Sequence, residues 1–172
     1  MTIVDAACAT LSSAKVFEAV QFGKPPSTYV AGDLGANNPI DHVWNEAQHI
    51  WSKNGGLERL VSCVVSVGAG SPRSRAIGTD DPGFSHAMYD IAIQTEGTAK
   101  KFLLGHPDLG GGDKRYHRFN VYNLPEHGWE GYKESGEIVN YAIDYMEGQR
   151  VEVEQCAKHL QRDIALASNG ES

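Results

Sequence analysis

No run of this 172-residue sequence approaches the roughly 18 consecutive apolar residues of a membrane-spanning helix, and its first residues, MTIVDAACATLSS, lack the basic stretch of a secretory signal. Positive charge is scarce. Fifteen Lys and Arg against 22 Asp and Glu leave a formal charge of -7, which repels phosphate backbones and anionic membrane surfaces and argues against nucleic acid as a partner. Cysteine is also sparse: Cys8, Cys63 and Cys156 are odd in number, far apart and without a C-x-x-C, which fits neither a disulfide framework nor a zinc signature. A reducing, cytosolic setting is expected, with no cofactor and no metal. Nor is there a G-x-S-x-G, so the strand-to-helix nucleophile elbow of serine hydrolases is missing. Ser66 in SVGAG is no substitute, because it sits within a strand pattern and lacks the preceding glycine.

What is present has an ordinary globular composition, 41% hydrophobic and 22% charged, and a length that suits one domain with a real core. The organising stretch is Tyr29 to Pro39, YVAGDLGANNP. A β-favouring run, Thr28 to Val30, meets two glycines, and the chain then caps a helix with Asn38 and starts it at Pro39. In open α/β sheets such strand-to-helix turns lie where chemistry is placed. Asp33 is the ionisable group inside this turn. It is the candidate site residue, beside a plainer reading as an Asx-type turn residue.

Along the chain, residues 3 to 14 suit a short helix rich in small residues, and VFEAVQFGKPPST an extended segment closed by a Pro-Pro turn. Ile40, Val43, Trp44, Ala47, Ile50 and Trp51 recur at helical spacing on one face. KNGGLE reads as a turn. LVSCVVSV, 60 to 67, suits a central parallel strand buried on both faces, with Cys63 inside it as a small buried hydrophobe. Residues 68 to 83 read as loop. Phe84, Met88, Ile91, Thr95, Ala99 and Phe102 trace one amphipathic helix, with Asp80 and Asp81 near its start. HPDLGGGDK reads as a flexible loop, YHRFNVY as a strand and the remainder as two helices, with a frayed tail from 165 to 172. Three strands and four or five helices make an α/β pattern favouring a parallel sheet, but with too few strands to flank one as apolar as 60 to 67. The chain therefore reads as part of a domain.

Other candidate chemistry has a plainer explanation. His42, Glu46 and His49 stand at i, i+4 and i+7 on one helix, yet opposite its apolar face, where side chains are solvated. The turn GAGS after the apolar strand lacks the third glycine of a phosphate-binding loop, with Arg73 in its place, and LGGGD precedes a strand instead of opening a helix.

The segments LGANNPIDHVWNEAQHIW, SCVVSVGAG, FSHAMYDIAIQTEGTAKKF and YHRFNVY together resemble the later part of a patatin-like phospholipase domain of the fungal type, over most of the chain. The resemblance implies an α/β fold: the C-terminal portion of a three-layer arrangement, with a mainly parallel sheet of few strands and helices on its faces. On that reading residues 1–172 are a single partial domain with its core in 3–164. The family hydrolyses acyl esters of lipids with a Ser-Asp dyad, without metal or cofactor. Oriented amides stabilise the oxyanion and the acid activates an otherwise poor serine nucleophile. Aligned on LGANNP, the family acid falls on Ala31, and Asp33 stands two residues away, displaced from that position. The serine elbow and the oxyanion segment have no counterpart in this sequence. The expectation is a lipid acyl hydrolase portion that is inactive alone, its substrate a lipid or acyl ester if an upstream half is present. The alternative is a non-catalytic module that pairs with a partner or a second copy through an exposed sheet edge.

Overall fold

The computed structural model describes residues 1–13, 16–52, 56–71, 80–124 and 135–168. The expected loop over 68–83, the KNGGLE turn and the tail 165–172 fall partly outside them. The first elements are α1 (Ile3–Leu11), β1 (Val20–Phe22), β2 (Ser27–Tyr29), α2 (Asp33–Ala36), α3 (Ile40–Trp51) and α4 (Leu57–Leu60). There follow β3 (Val64–Val67), α5 (Asp81–Ala92), α6 (Glu96–Gly105), β4 (Tyr116–Phe119), α7 (Ser135–Gly148) and α8 (Arg150–Ser168). This is a mixed α/β chain with two small sheets, one of them parallel. It divides into two compact units, one of Met1–Pro39 with Ala76–Thr95, the other of Ile40–Arg75 with Glu96–Ser172.

In the first unit, Thr2 and Asp5 form a capping box at the start of α1. The Thr2 hydroxyl accepts from the Asp5 amide at 3.1 Å, and the Asp5 carboxylate accepts from the Thr2 amide at 2.7 Å. The extended segment after α1 is an antiparallel hairpin, with Val20 opposite Tyr29 and Phe22 opposite Ser27. Helix α5 begins after Asp80 with Pro82 in its first turn, where a missing N–H does no harm. Among the described residues of this unit no apolar side chain is buried; Ile3, Val4, Leu11, Val30, Phe84 and Ile91 all face water.

The second unit holds the core. Ile40, Trp44, Leu57, Ala99, Phe102, Leu109 and Tyr116 are buried together. Trp44 meets Phe102 edge-on at 5.4 Å, and Phe102 meets Tyr116 at 5.3 Å, spacings at which aromatic pairs attract. The apolar stripe of α3 is only half used: Ile40, Trp44 and Ala47 pack inward, whereas Val43, Ile50 and Trp51 are exposed.

The single helix expected from Phe84 to Phe102 is two, α5 and α6, separated at Ile93–Thr95. Its periodic residues divide accordingly: Phe84, Met88 and Ile91 are exposed, while Ala99 and Phe102 enter the core. Helical spacing carries across a short break without any packing to support it. The loop HPDLGGGDK is also more ordered than its composition implies. Pro107–Leu109 form a 3-10 turn, Leu109 is fully buried, and its carbonyl accepts the Arg115 amide at 2.8 Å.

Strands β3 and β4 are parallel, pairing Val64 with Tyr116 through Val67 with Phe119. The expected burial of this strand on both faces is not found: it begins at Val64, α4 takes up Leu57–Leu60, and Val65 and Val67 are exposed. The even residues Val64 and Ser66 share a face with Tyr116 and Arg118, toward the core, and the odd residues share a face with His117. His117 bonds Glu152 and His159 of α8, so the two faces of the strand pair meet different helices.

Candidate functional site at the central turn

The organising stretch forms as its residues dictate, strand then turn then helix. Strand β2 ends at Tyr29, and the Ala31 amide donates to the Ser12 carbonyl at 2.9 Å, tying the turn to the end of α1. Helix α2 is one irregular turn, broken by Leu34 in an extended conformation and by Gly35 at φ +99, a left-handed value that favours glycine. The side-chain amides of Asn37 and Asn38 donate to the carbonyls of Ile93 and Thr95 at 2.7 and 3.2 Å. These two asparagines thus join the turn to the residues after α5, and Pro39 precedes α3 directly.

Asp33 opens α2, half-buried, and its carboxylate accepts a 2.7 Å hydrogen bond from the hydroxyl of Ser13. A serine hydroxyl on a carboxylate is the contact an acyl-hydrolase dyad requires, so its surroundings decide its meaning. Ser13 lies just past the C-terminal end of α1, where carbonyls are concentrated, and its own amide donates to the Leu11 carbonyl at 2.8 Å. An oxyanion needs the opposite polarity, amides directed at the developing charge. The Ser13–Asp33 pair is therefore placed as a clamp between α1 and the turn. Ala31, two residues before Asp33, has no ionisable group. Sequence reasoning missed Ser13, and no local spacing signals it, since 20 residues separate the partners.

The other glycine turn, Gly68–Ser71, belongs to the second unit. The Gly68 and Ser71 amides donate to the carbonyls of Phe119 and Val121 at 2.8 and 2.7 Å, continuing the pairing of β3 with β4. The Asn120 side-chain oxygen accepts the Gly70 amide at 2.8 Å, and its nitrogen donates to Ser71 and to Glu96 at 2.9 and 2.8 Å. Glu96 also accepts two bonds from Arg118, the shorter 2.7 Å, and one from the Tyr122 hydroxyl at 2.8 Å. Burial would push the Glu96 carboxyl up, but the Arg118, Tyr122 and Asn120 bonds outweigh it and hold it below the usual carboxylate range. Partial desolvation and the Glu96 carboxylate push half-exposed Tyr122 up to about 12, so the phenol stays a donor. This turn is locked by side chains and holds no phosphate-sized set of unpaired amides.

The lock predicts the effect of one methyl group. A Cβ at Gly68 would stand 2.2 Å from the Asn120 side-chain oxygen, on a residue 2% exposed and bonded on both ends. Gly68→Ala is expected to lower stability by about 2–4 kcal/mol through overpacking and the displaced Asn120 bonds. A urea titration that leaves the midpoint unchanged would contradict this arrangement.

His42, Glu46 and His49 are all exposed on α3, the solvated face expected of them. Among the described residues no helix is long and apolar enough to cross a membrane. Compared with protein-family models, curated proteins and solved structures, the chain matches none of them.

Proposed function

We propose that this chain is the C-terminal portion of a patatin-like lipid acyl hydrolase domain of three layers, cytosolic, and without hydrolytic activity by itself. One observation carries the need for more chain: the first unit folds its central turn, its hairpin and two longer helices with no buried apolar side chain among its described residues. A folded unit must bury apolar surface to offset its conformational entropy. The exposed faces of α1 and α5, with Val30 leading into the turn, are the surface an upstream half would cover. The unpaired edges of β3 and β4 support the same reading, since described residues pair each strand on one side only. Inactivity follows from Ala31 at the acid position and from Asp33, whose carboxylate is engaged by Ser13 beside carbonyls instead of oxyanion donors.

The test has two arms. The purified chain is expected to show no turnover of short acyl esters, and Asp33→Ala or Ser13→Ala to change only stability, by about 1 kcal/mol for one lost hydrogen bond. Turnover abolished by Asp33→Ala would overturn the inactive reading and make Asp33 a working acid. The transcript upstream of the Met1 codon is expected to encode a glycine-rich segment and a G-x-S-x-G. In that longer product, Ala31→Asp is expected to raise ester turnover by on the order of 100-fold, the scale lost when a catalytic group is misplaced by about 1 Å. Absence of both upstream motifs would overturn the family reading.

A further inference from the structure

The face of the β3–β4 pair opposite the apolar core is closed by thiols, imidazoles and carboxylates. Cys63 stands just before β3, His117 lies in β4 and is fully buried, and Cys156 is buried on α8. One ligand atom from each of these three lies within 4.8 Å of the others. The His117 Nδ1 is 2.7 Å from the Glu152 carboxylate, and its Nε2 is 3.1 Å from Nδ1 of His159, which is itself buried. His159 Nε2 in turn lies 3.1 Å from Asp113. All of these residues belong to the second unit, and among the described residues, all three cysteines included, there is no disulfide.

The geometry points to a structural site for a divalent, thiolate-accepting cation of the zinc type, held by Cys63, Cys156 and His117, with the buried His159 imidazole beside His117. Two thiolates and an imidazole are a donor set that selects such an ion over magnesium or calcium. Tetrahedral bonds of about 2.3 Å to sulfur and 2.0 Å to nitrogen give ligand-to-ligand edges of roughly 3.3–3.8 Å. The three ligand atoms of Cys63, His117 and Cys156, all within 4.8 Å of one another, reach that with side-chain adjustments on the order of 1 Å.

The Glu152 carboxylate stands 2.7 Å behind His117 Nδ1, leaving Nε2 as the nitrogen that faces away from it. Such a carboxylate behind a ligating histidine is the usual means of fixing ring orientation. The ion would fasten α8 to the sheet on a face where the buried groups are polar. Spacing rules for zinc motifs do not register the set, because Cys63 precedes β3, His117 lies in β4 and Cys156 lies on α8, far apart in the chain.

The inference is independent of the acyl hydrolase reading, and its test uses the full chain. After exhaustive dialysis against metal-free buffer, about one zinc per chain is expected by elemental analysis. Cobalt(II) should saturate at one equivalent, with the visible d–d and thiolate charge-transfer absorption of a tetrahedral thiolate site. Cys156→Ser and His117→Asn should lose that spectrum, Cys8→Ser on exposed α1 should keep it, and Glu152→Gln should weaken binding by about 10- to 100-fold. A wild-type chain that gives no tetrahedral cobalt spectrum overturns the site whether or not the variants fold. So does recovery of a Cys63–Cys156 disulfide from chain purified under reducing conditions.

Discussion

Replacing Glu96 with alanine is expected to lower the stability of the second unit by about 2–3 kcal/mol, the scale of hydrogen bonds to a charged group lost from a part-buried pair. The substitution takes the carboxylate from Arg118, whose side chain is 10% exposed, and removes the acceptor shared by Asn120 and Tyr122. Through Asn120 the loss spreads to the Gly70 amide and Ser71. The same network sets a pH dependence. The folded Glu96 carboxyl sits below its usual range, burial being outweighed by its bonds. A carboxyl depressed in the folded state contributes stability that is fully present above its unfolded pKa and is lost as pH falls through the lower folded value. Urea midpoints measured from about pH 7 down to about pH 3 should therefore fall less steeply in Glu96→Gln than in the wild type. Parallel slopes would show that Glu96 is not the group being titrated.

Phe102→Ala is expected to cost about 3–5 kcal/mol, as deletions of buried aromatic rings do. Phe102 is 2% exposed and its ring lies against Trp44, Tyr116 and His106. It therefore joins α3, α6 and β4 at one point. Phe84→Ala serves as the control, because Phe84 is 55% exposed on α5 and its loss should stay within about 0.5 kcal/mol. If chemical denaturation finds the two variants equally destabilised, the core is not where these contacts place it.

Elements backed by a strong local pattern were legible. The helix after LGANNP and both C-terminal helices form where spacing places them, and the strand expected at 116–122 forms over its first four residues, Tyr116–Phe119. Spacing misled where it had no packing behind it: Phe84 and Phe102 fit one helical stripe, yet one faces water and the other fills the core. The strand at 60–67 reads as buried on both faces from its apolar run alone, but four of its residues form the strand and Val67 is 75% exposed. Apolar composition reports a wish to be covered, and it does not say which chain supplies the cover. The hairpin at 20–29 was legible only as an extended segment closed by a turn, because three-residue strands carry too little alternation to announce pairing.

Charge, the absence of a serine elbow, the glycines of the central turn and its Asn-Asn-Pro exit were determined by the sequence itself, since each acts through composition or through neighbours a few residues away. Tertiary structure alone decided what the polar side chains do. It set Asp33 against Ser13, 20 residues back, and bound Glu96 to Arg118, 22 residues on. It also drew Cys63, His117 and Cys156 to within 4.8 Å from three separate elements. A side chain's chemistry depends on the groups within a few ångströms of it, and those neighbours are chosen by strand register and helix docking.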